Sequence, residues 1–282
     1  MKDTIVINSD FAKVVESHIY GNLLIEDTSS PLILGIFGPP GEGKTFQVEK
    51  VCQSLGVKTV IISPAEMESE NAGQPGDLLR SKYLKIGGFE ALYEPSVLII
   101  NDIDTVIGDW GEMVQYTVNR QVVFAQLMAF CDFPNKVSDK ICRRVPIILT
   151  GNNPATMYGP LLRAGRMRLM EWKPTLDEKT EIISGIFPHI PKGKLRNTIS
   201  KYSNEPISFW SDIKAFYWEE KLSEWIQAQN RQSLINNLKD EKRIKTVPME
   251  IDVSTLENLA QRLKESSNIR SNYYTNIGRN KR

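Results

Sequence analysis

Cysteine is scarce in this 282-residue chain: Cys52, Cys131 and Cys142 are odd in number and show no C-x-x-C spacing. A chain of this length builds its own core and needs no disulfide framework. The three are therefore read as reduced thiols of a cytoplasmic protein, or of an organelle stroma if a transit peptide has been removed. No apolar run approaches the roughly 20 residues that span a bilayer, and no basic stretch followed by an apolar one opens the chain, so neither a membrane span nor an export signal is expected. An excess of one charge is also missing, since 35 Lys plus Arg stand against 34 Asp plus Glu. That balance leaves no electrostatic footprint for nucleic acid or an anionic membrane. The composition is that of an ordinary soluble protein, long enough for one large domain or two.

Residues Gly38, Pro39, Pro40, Gly41, Glu42, Gly43, Lys44 and Thr45 fit the phosphate-loop pattern G-x-x-x-x-G-K-[ST] at every fixed position. The apolar run 32–37 before them reads as a buried strand, and 44–55, with Phe46, Val48, Val51 and Cys52 as apolar members, reads as a helix. A glycine-rich turn carrying an exposed lysine would need neither neighbour. Strand, glycine loop and helix in this order aim backbone N–H groups and the positive end of a helix dipole at one point, where a polyphosphate can sit. Lys44 then supplies a cation for the outer phosphates, and the Thr45 hydroxyl is placed to ligate Mg²⁺.

Along the chain, 4–7 reads as a short β-like start and 11–24 as a helix, together an entry segment over 1–31. Strands are expected at 59–63, 97–100, 145–149 and 169–172, an exposed acidic loop at 64–76, and helices at 77–89 and 115–130. Alternating strands and helices predict an α/β domain over 32–174, a doubly wound, five-stranded parallel sheet whose ligands lie beyond the carboxyl ends of the strands. From Asp177 the strand signal nearly stops. Amphipathic segments at 178–186, 193–202, 207–227 and 255–266 predict a smaller helical domain over 175–267, with the aromatics Phe209, Trp210, Phe216, Tyr217, Trp218 and Trp225 as its core. Residues 268–282 are polar and basic without apolar period, and are read as a flexible tail.

Phosphoryl transfer needs a phosphate cradle, a metal, a group that orients water, and cations for the developing charge. Asp102, where an apolar strand runs into carboxylates, is placed to act on the metal or on the water, while Asp104 is balanced between function and loop polarity. Asn152 ends a separate apolar strand, where it can bond the γ-phosphate or position water, although Asn before Asn-Pro is also ordinary turn chemistry.

Residues 38–45, 99–104, 147–152 and Leu161-Leu162-Arg163-Ala164-Gly165-Arg166 stand in the order and spacing of an AAA+ ATPase. More narrowly, 68–75, Asn101-Asp102-Ile103-Asp104, 115–119, 145–152 and, more loosely, 207–225 resemble the matching stretches of rubisco activases. The resemblance implies an ATP-hydrolysing remodelling chaperone that uses ATP and Mg²⁺, assembles into a homo-oligomeric ring of six, and acts on a protein client such as rubisco. It makes Lys44 and Thr45 the Walker A residues, Asp102 the Walker B acid, Asn152 the sensor 1 residue, and Arg163 and Arg166 arginine fingers serving a neighbouring subunit. Lys214 falls near the family's sensor 2 position and is as readily a solvated helix residue. With the loop and Phe46 it completes the nucleotide-binding set.

Segments 66–74 and 108–116 resemble the loops that line the central channel and grip a client. The chain departs from the family at Ile107-Gly108-Asp109-Trp110, where an arginine is usual, and it shows neither the plant N-terminal extension nor the small-subunit-like domain of some cyanobacterial members. Those departures put rubisco itself in question as the client. Asn101-Asp102 replaces the Asp-Glu of common AAA+ proteins but is shared by rubisco activases, and it leaves metal against water duty undecided. The alternative is a nucleotide-switched scaffold with a different client and little productive hydrolysis. A DNA-associated clamp loader is disfavoured by the charge balance.

Overall fold

The computed structural model describes residues 5–67, 74–89, 93–104, 114–243 and 250–279, which divide into two compact units, Ile7–Lys173 and one centred on Pro174–Arg282. In the first, the strands β1 (Ile33–Phe37), β2 (Lys58–Ile62), β3 (Ser96–Ile100), β6 (Ile147–Gly151) and β7 (Met167–Glu171) form one parallel sheet in the order β2-β3-β6-β1-β7. The three central strands, ILGIF, SVLII and IILTG, are buried along their whole length. Near-continuous apolar sequence is what a parallel sheet covered on both faces requires. The edge strands β2 and β7 are partly exposed and carry Lys58, Arg168 and Glu171, charged residues that a covered strand excludes. Register brings Phe37 level with Gly151, and Ile100 level with Leu149. The segments that follow β1, β3 and β6 therefore emerge side by side at one edge.

Helix α1 (Ser9–Leu23) begins where the side chain of Asn8 accepts the N–H groups of Asp10 and Phe11, and it buries Phe11, Val15 and Ile19 at helical spacing. Residues 5–8 before it form no strand, so the expected β-like start is not found there. His18 is buried on this helix. Its Nε2–H donates to the Ile147 carbonyl at 3.2 Å, and its Nδ1 lies 3.4 Å from the Asn22 amide, the arrangement of a neutral imidazole. Burial lowers the pKa from 6.5 to about 3. The folded chain thus refuses a proton that the unfolded chain takes up, and stability present above pH 6.5 is lost as the pH falls from 6.5 toward 3, at up to ~1.4 kcal/mol per pH unit. Denaturant unfolding should show wild type losing more stability than His18→Gln between about pH 7.5 and about pH 5. Equal losses would show that the imidazole does not titrate on unfolding.

Between the sheet strands, α2 (Lys44–Ser54), α3 (Pro64–Met67), α4 (Gln74–Gly87) and the Val114–Asp132 helix provide the crossovers. The expected exposed loop at 64–76 is in part helix, since its two ends belong to α3 and α4, while 68–73 lies outside the described residues. A small hairpin of β4 (Lys136–Val137) and β5 (Lys140–Ile141), with Ser138 at φ 54°, was not foreseen, because two-residue strands are too short to show a period.

The second unit is helical: Leu176–Ile186, Lys192–Lys201, Ile207–Gln227, Arg231–Lys239 and Val253–Arg279. A capping box of Thr175 and Glu178 starts its first helix. Trp210 is buried among Tyr202 and Phe209, with ring centroids 6.1 and 5.5 Å away. Phe209, Trp210 and Tyr217 belong to the core as expected, but Trp218 is exposed. One residue further round a 3.6-residue turn than Tyr217, it points off the apolar face. The last helix continues to Arg279, through residues whose sequence carries no apolar period and reads as tail.

Candidate nucleotide site

The loop between β1 and α2 is shaped by two different demands for glycine. A methyl group on Gly38 would lie 1.9 Å from the Trp172 carbonyl oxygen, so only glycine lets the two backbones meet there. Gly43, the cap of α2, has open space around it but stands at φ 75°, as does Gly41. There the backbone angle, not room, excludes a side chain. Trp172, the residue after β7, clasps the loop. Its N–H donates to Phe37 O at 2.7 Å and its indole Nε1–H to Glu42 O at 2.7 Å, while Phe11 packs edge-on against the indole at 4.9 Å. Pro39, Pro40 and Gly41 form the exposed mouth, and Glu42 is buried beneath them.

Lys44 is only 6% exposed, and its ammonium donates to Gly38 O at 2.8 Å, Pro39 O at 2.9 Å and Asn152 Oδ1 at 3.2 Å. Burial pulls its pKa below the ordinary lysine value, and the carboxylates of Asp102, Asp104 and Glu42 oppose that pull. Thr45 faces the other way. Its hydroxyl donates to Asn101 Oδ1 at 3.3 Å and lies 3.3 Å from the Thr150 hydroxyl, which itself donates to Asn101 Oδ1 at 3.4 Å. The side chain bonded to Thr45 is thus Asn101, one residue before the carboxylate singled out in the sequence. Asp102 is exposed, with backbone φ at 44°, a left-handed position that Asp tolerates better than most residues. Its N–H donates to Thr150 Oγ1 at 3.2 Å, which holds the turn.

Asn152 follows β6 directly, and its backbone N–H donates to Asp104 Oδ2 at 2.8 Å. The sheet therefore brings Lys44, Thr45, Asn101, Asp102, Asp104 and Asn152 to a single edge. Phe46 stands on the first turn of α2, exposed, with the Lys50 ammonium 5.5 Å from its ring centroid. Lys214 belongs to the helical unit, where its ammonium donates to Ile186 O at 2.9 Å.

Arg163 and Arg166 are not at this edge. Ile33 N, at the start of β1, donates to Arg166 O, so the turn carrying both arginines lies at the amino edge of the sheet. The phosphate loop leaves the far end of β1, four strand steps or ~13 Å away. The two arginines also differ from each other. Arg166 donates Nε and Nη2 to the two carboxylate oxygens of Asp132, at 3.1 and 2.9 Å, and Nη1 to Pro160 O at 3.2 Å. Arg163 is exposed and its guanidinium engages no polar partner among the described residues.

Asn101, Thr150 and Trp172 were missed as site residues. Thr150 had a signal, as the one polar side chain in an otherwise apolar IILTG strand. Asn101 had one too, since it stands where common AAA+ proteins carry the first acid of an Asp-Glu pair, whereas Trp172 had none beyond lying at a strand end. Of the two segments read as channel loops, 68–73 and 108–113 lie outside the described residues, Asp109 among them. No helix among the described residues is long and apolar enough to cross a membrane.

Comparison with known proteins agrees with this geometry. The model of the family "ATPase family associated with various cellular activities (AAA)" matches residues 34–175. Ribulose bisphosphate carboxylase/oxygenase activase of Anabaena sp. is 39% identical over 224 residues, covering 74% of this chain and 53% of that protein. The chloroplastic activase of Vigna radiata is 35% identical over 235 residues, 80% of this chain and 54% of the relative. That of Chlamydomonas reinhardtii is 34% identical over 235 residues, 80% and 58%. The chain thus spans about half the length of the curated relatives it matches. With its phosphate loop, its β2-β3-β6-β1-β7 sheet and these relatives, the chain belongs to the AAA family of ATPases and is a rubisco activase-like member of it.

Proposed function

We propose that the chain binds and hydrolyses ATP with Mg²⁺ as one subunit of a homo-oligomeric ring, and uses that cycle to remodel a protein client. The observation that carries this is the division of polar groups between the two edges of one sheet. Phosphate cradle, metal-side oxygens and a carboxylate stand at the carboxyl edge, and Arg163 stands at the amino edge, where only a second copy's nucleotide can use it.

The donors present suit the ligands. Thr45, Asn101 and Thr150 cluster hard oxygen atoms beside the loop, the type of donor set Mg²⁺ takes. When bound there, Mg²⁺ neutralises charge on the outer phosphates. Thr45 and Asn101 hold the metal side of the site. Asp102, exposed one residue further, orients the attacking water and accepts its proton. Asn152, which in this structure bonds Lys44, reads the outermost phosphate.

Following the names of the relatives, the client in this reading is rubisco, and the site of action is the cytoplasm or a chloroplast stroma; the resemblance to rubisco activases implies that the work done is the release of a tightly bound sugar phosphate. The test uses the parental chain and Asp102→Asn. The variant should bind ATP nearly as tightly but hydrolyse it at least ~10²-fold more slowly, since an amide cannot take the proton. Only the parental chain should reactivate sugar-phosphate-inhibited rubisco. Equal hydrolysis rates would show that Asp102 is not the base, and a fully active ATPase that leaves a cognate rubisco inhibited would sink the client assignment while leaving the ATPase intact.

A further inference from the structure

We infer that Asp104 is a positioning residue for phosphoryl transfer, acting through Asn152. The inference rests on the ATPase reading above and extends it to a residue outside the nucleotide-contacting set.

The pairing of β6 with its neighbours ends at Gly151, which faces Phe37 in register and accepts the Gly38 N–H. The next N–H, that of Asn152, has passed the last rung, and a backbone donor left there without an acceptor would let residue 152 turn away. Asp104 supplies the acceptor through Oδ2 at 2.8 Å, reaching across from the turn that leaves β3. The approach is close. A Cβ on Gly151 would stand 3.1 Å from Asp104 Oδ1 and 2.8 Å from the Phe37 ring, so the carboxylate packs into space that glycine leaves open.

Its second oxygen, Oδ1, is buried and has no hydrogen-bond partner among the described residues. A residue that served only to tidy a strand end would not bury an unsatisfied carboxylate oxygen, because leaving such an atom unpaired is costly. What the bond secures is the direction of Asn152, whose side-chain oxygen accepts from the loop lysine, Lys44, at 3.2 Å. A chain of contacts therefore runs from the Walker B turn through Asp104 and the backbone of residue 152 to the loop lysine.

Steady-state ATP hydrolysis by Asp104→Ala, Asp104→Asn, Asn152→Ala and the Asp104→Ala/Asn152→Ala double variant tests this, with thermal unfolding of each as the folding control. Asp104→Ala should lower kcat on the order of 10-fold with little change in KM for ATP, the pattern of an interaction needed in the transition state rather than for binding. Asp104→Asn keeps an oxygen for the Asn152 N–H and should recover most of the loss. In the Asn152→Ala background the Asp104→Ala change should cost nothing more, since both remove one contribution. Full additivity of the two, or an Asp104→Asn as slow as Asp104→Ala, overturns the inference, and Asp104→Asn decides the matter if the alanine variant does not fold. If Asn152→Ala is impaired while Asp104→Ala is not, the inference fails and the ATPase reading stands. A parental chain without ATPase activity removes that reading itself.

Discussion

Lys44→Ala is expected to lower nucleotide affinity at least ~100-fold, about 2.8 kcal/mol of binding free energy. The side chain does two things at once. Its ammonium ties Gly38 O, Pro39 O and Asn152 Oδ1 together at 2.8, 2.9 and 3.2 Å, which keeps the mouth of the loop in one conformation. It is also a cation on which the fields of three carboxylates, Asp102, Asp104 and Glu42, all act. Alanine would leave those carboxylates facing an incoming polyphosphate with nothing between them, so repulsion adds to the lost attraction. Isothermal titration with ATP and Mg²⁺ measures the effect, and unchanged thermal unfolding shows that the fold survives. Parental affinity in a folded Lys44→Ala chain would contradict the assignment of the loop.

Arg163→Ala should leave ATP binding nearly intact and cut hydrolysis by a factor on the order of 10³, the low end for an arginine finger. That factor is ~4 kcal/mol of transition-state stabilisation. The sheet gives the reason to expect the effect in a neighbour. Arg163 lies on a turn at the amino edge and the loop at the carboxyl edge of the same strands, so within one subunit the two stand at opposite ends of β1. Mixing decides it: Arg163→Ala subunits, which bind ATP, should regain hydrolysis beside Lys44→Ala subunits, which cannot bind but still present the arginine. Mixed assemblies that stay inactive would show that Arg163 does not act in trans. Arg166→Ala should behave differently from its neighbour. With Asp132 and Pro160 O holding its guanidinium, its loss loosens the turn that presents Arg163 and should reduce hydrolysis less, with a lower unfolding temperature as the accompanying sign.

The sequence by itself determined the phosphate loop, the strands before and after it, and the alternation that makes a parallel sheet. These signals are local: a glycine spacing, an apolar run, a helical period. It also placed Asp102 and Asn152 at strand ends, which in such a sheet means at the ligand edge. Only the tertiary structure decided which neighbours those residues have. Asn101, not Asp102, meets the Thr45 hydroxyl, 56 positions earlier in the chain. Trp172 closes on Glu42 across 130 positions, Asp104 on Asn152 across 48, and Arg166 on Asp132 across 34. None of these pairs has a spacing that a sequence pattern can carry. They arise because β1 and β3 both flank β6 and run out at the same edge of the sheet, β3 ending opposite Leu149 and β1 opposite Gly151, and because β7 returns beside β1, so strand order and register set the distances between side chains that the chain itself leaves far apart.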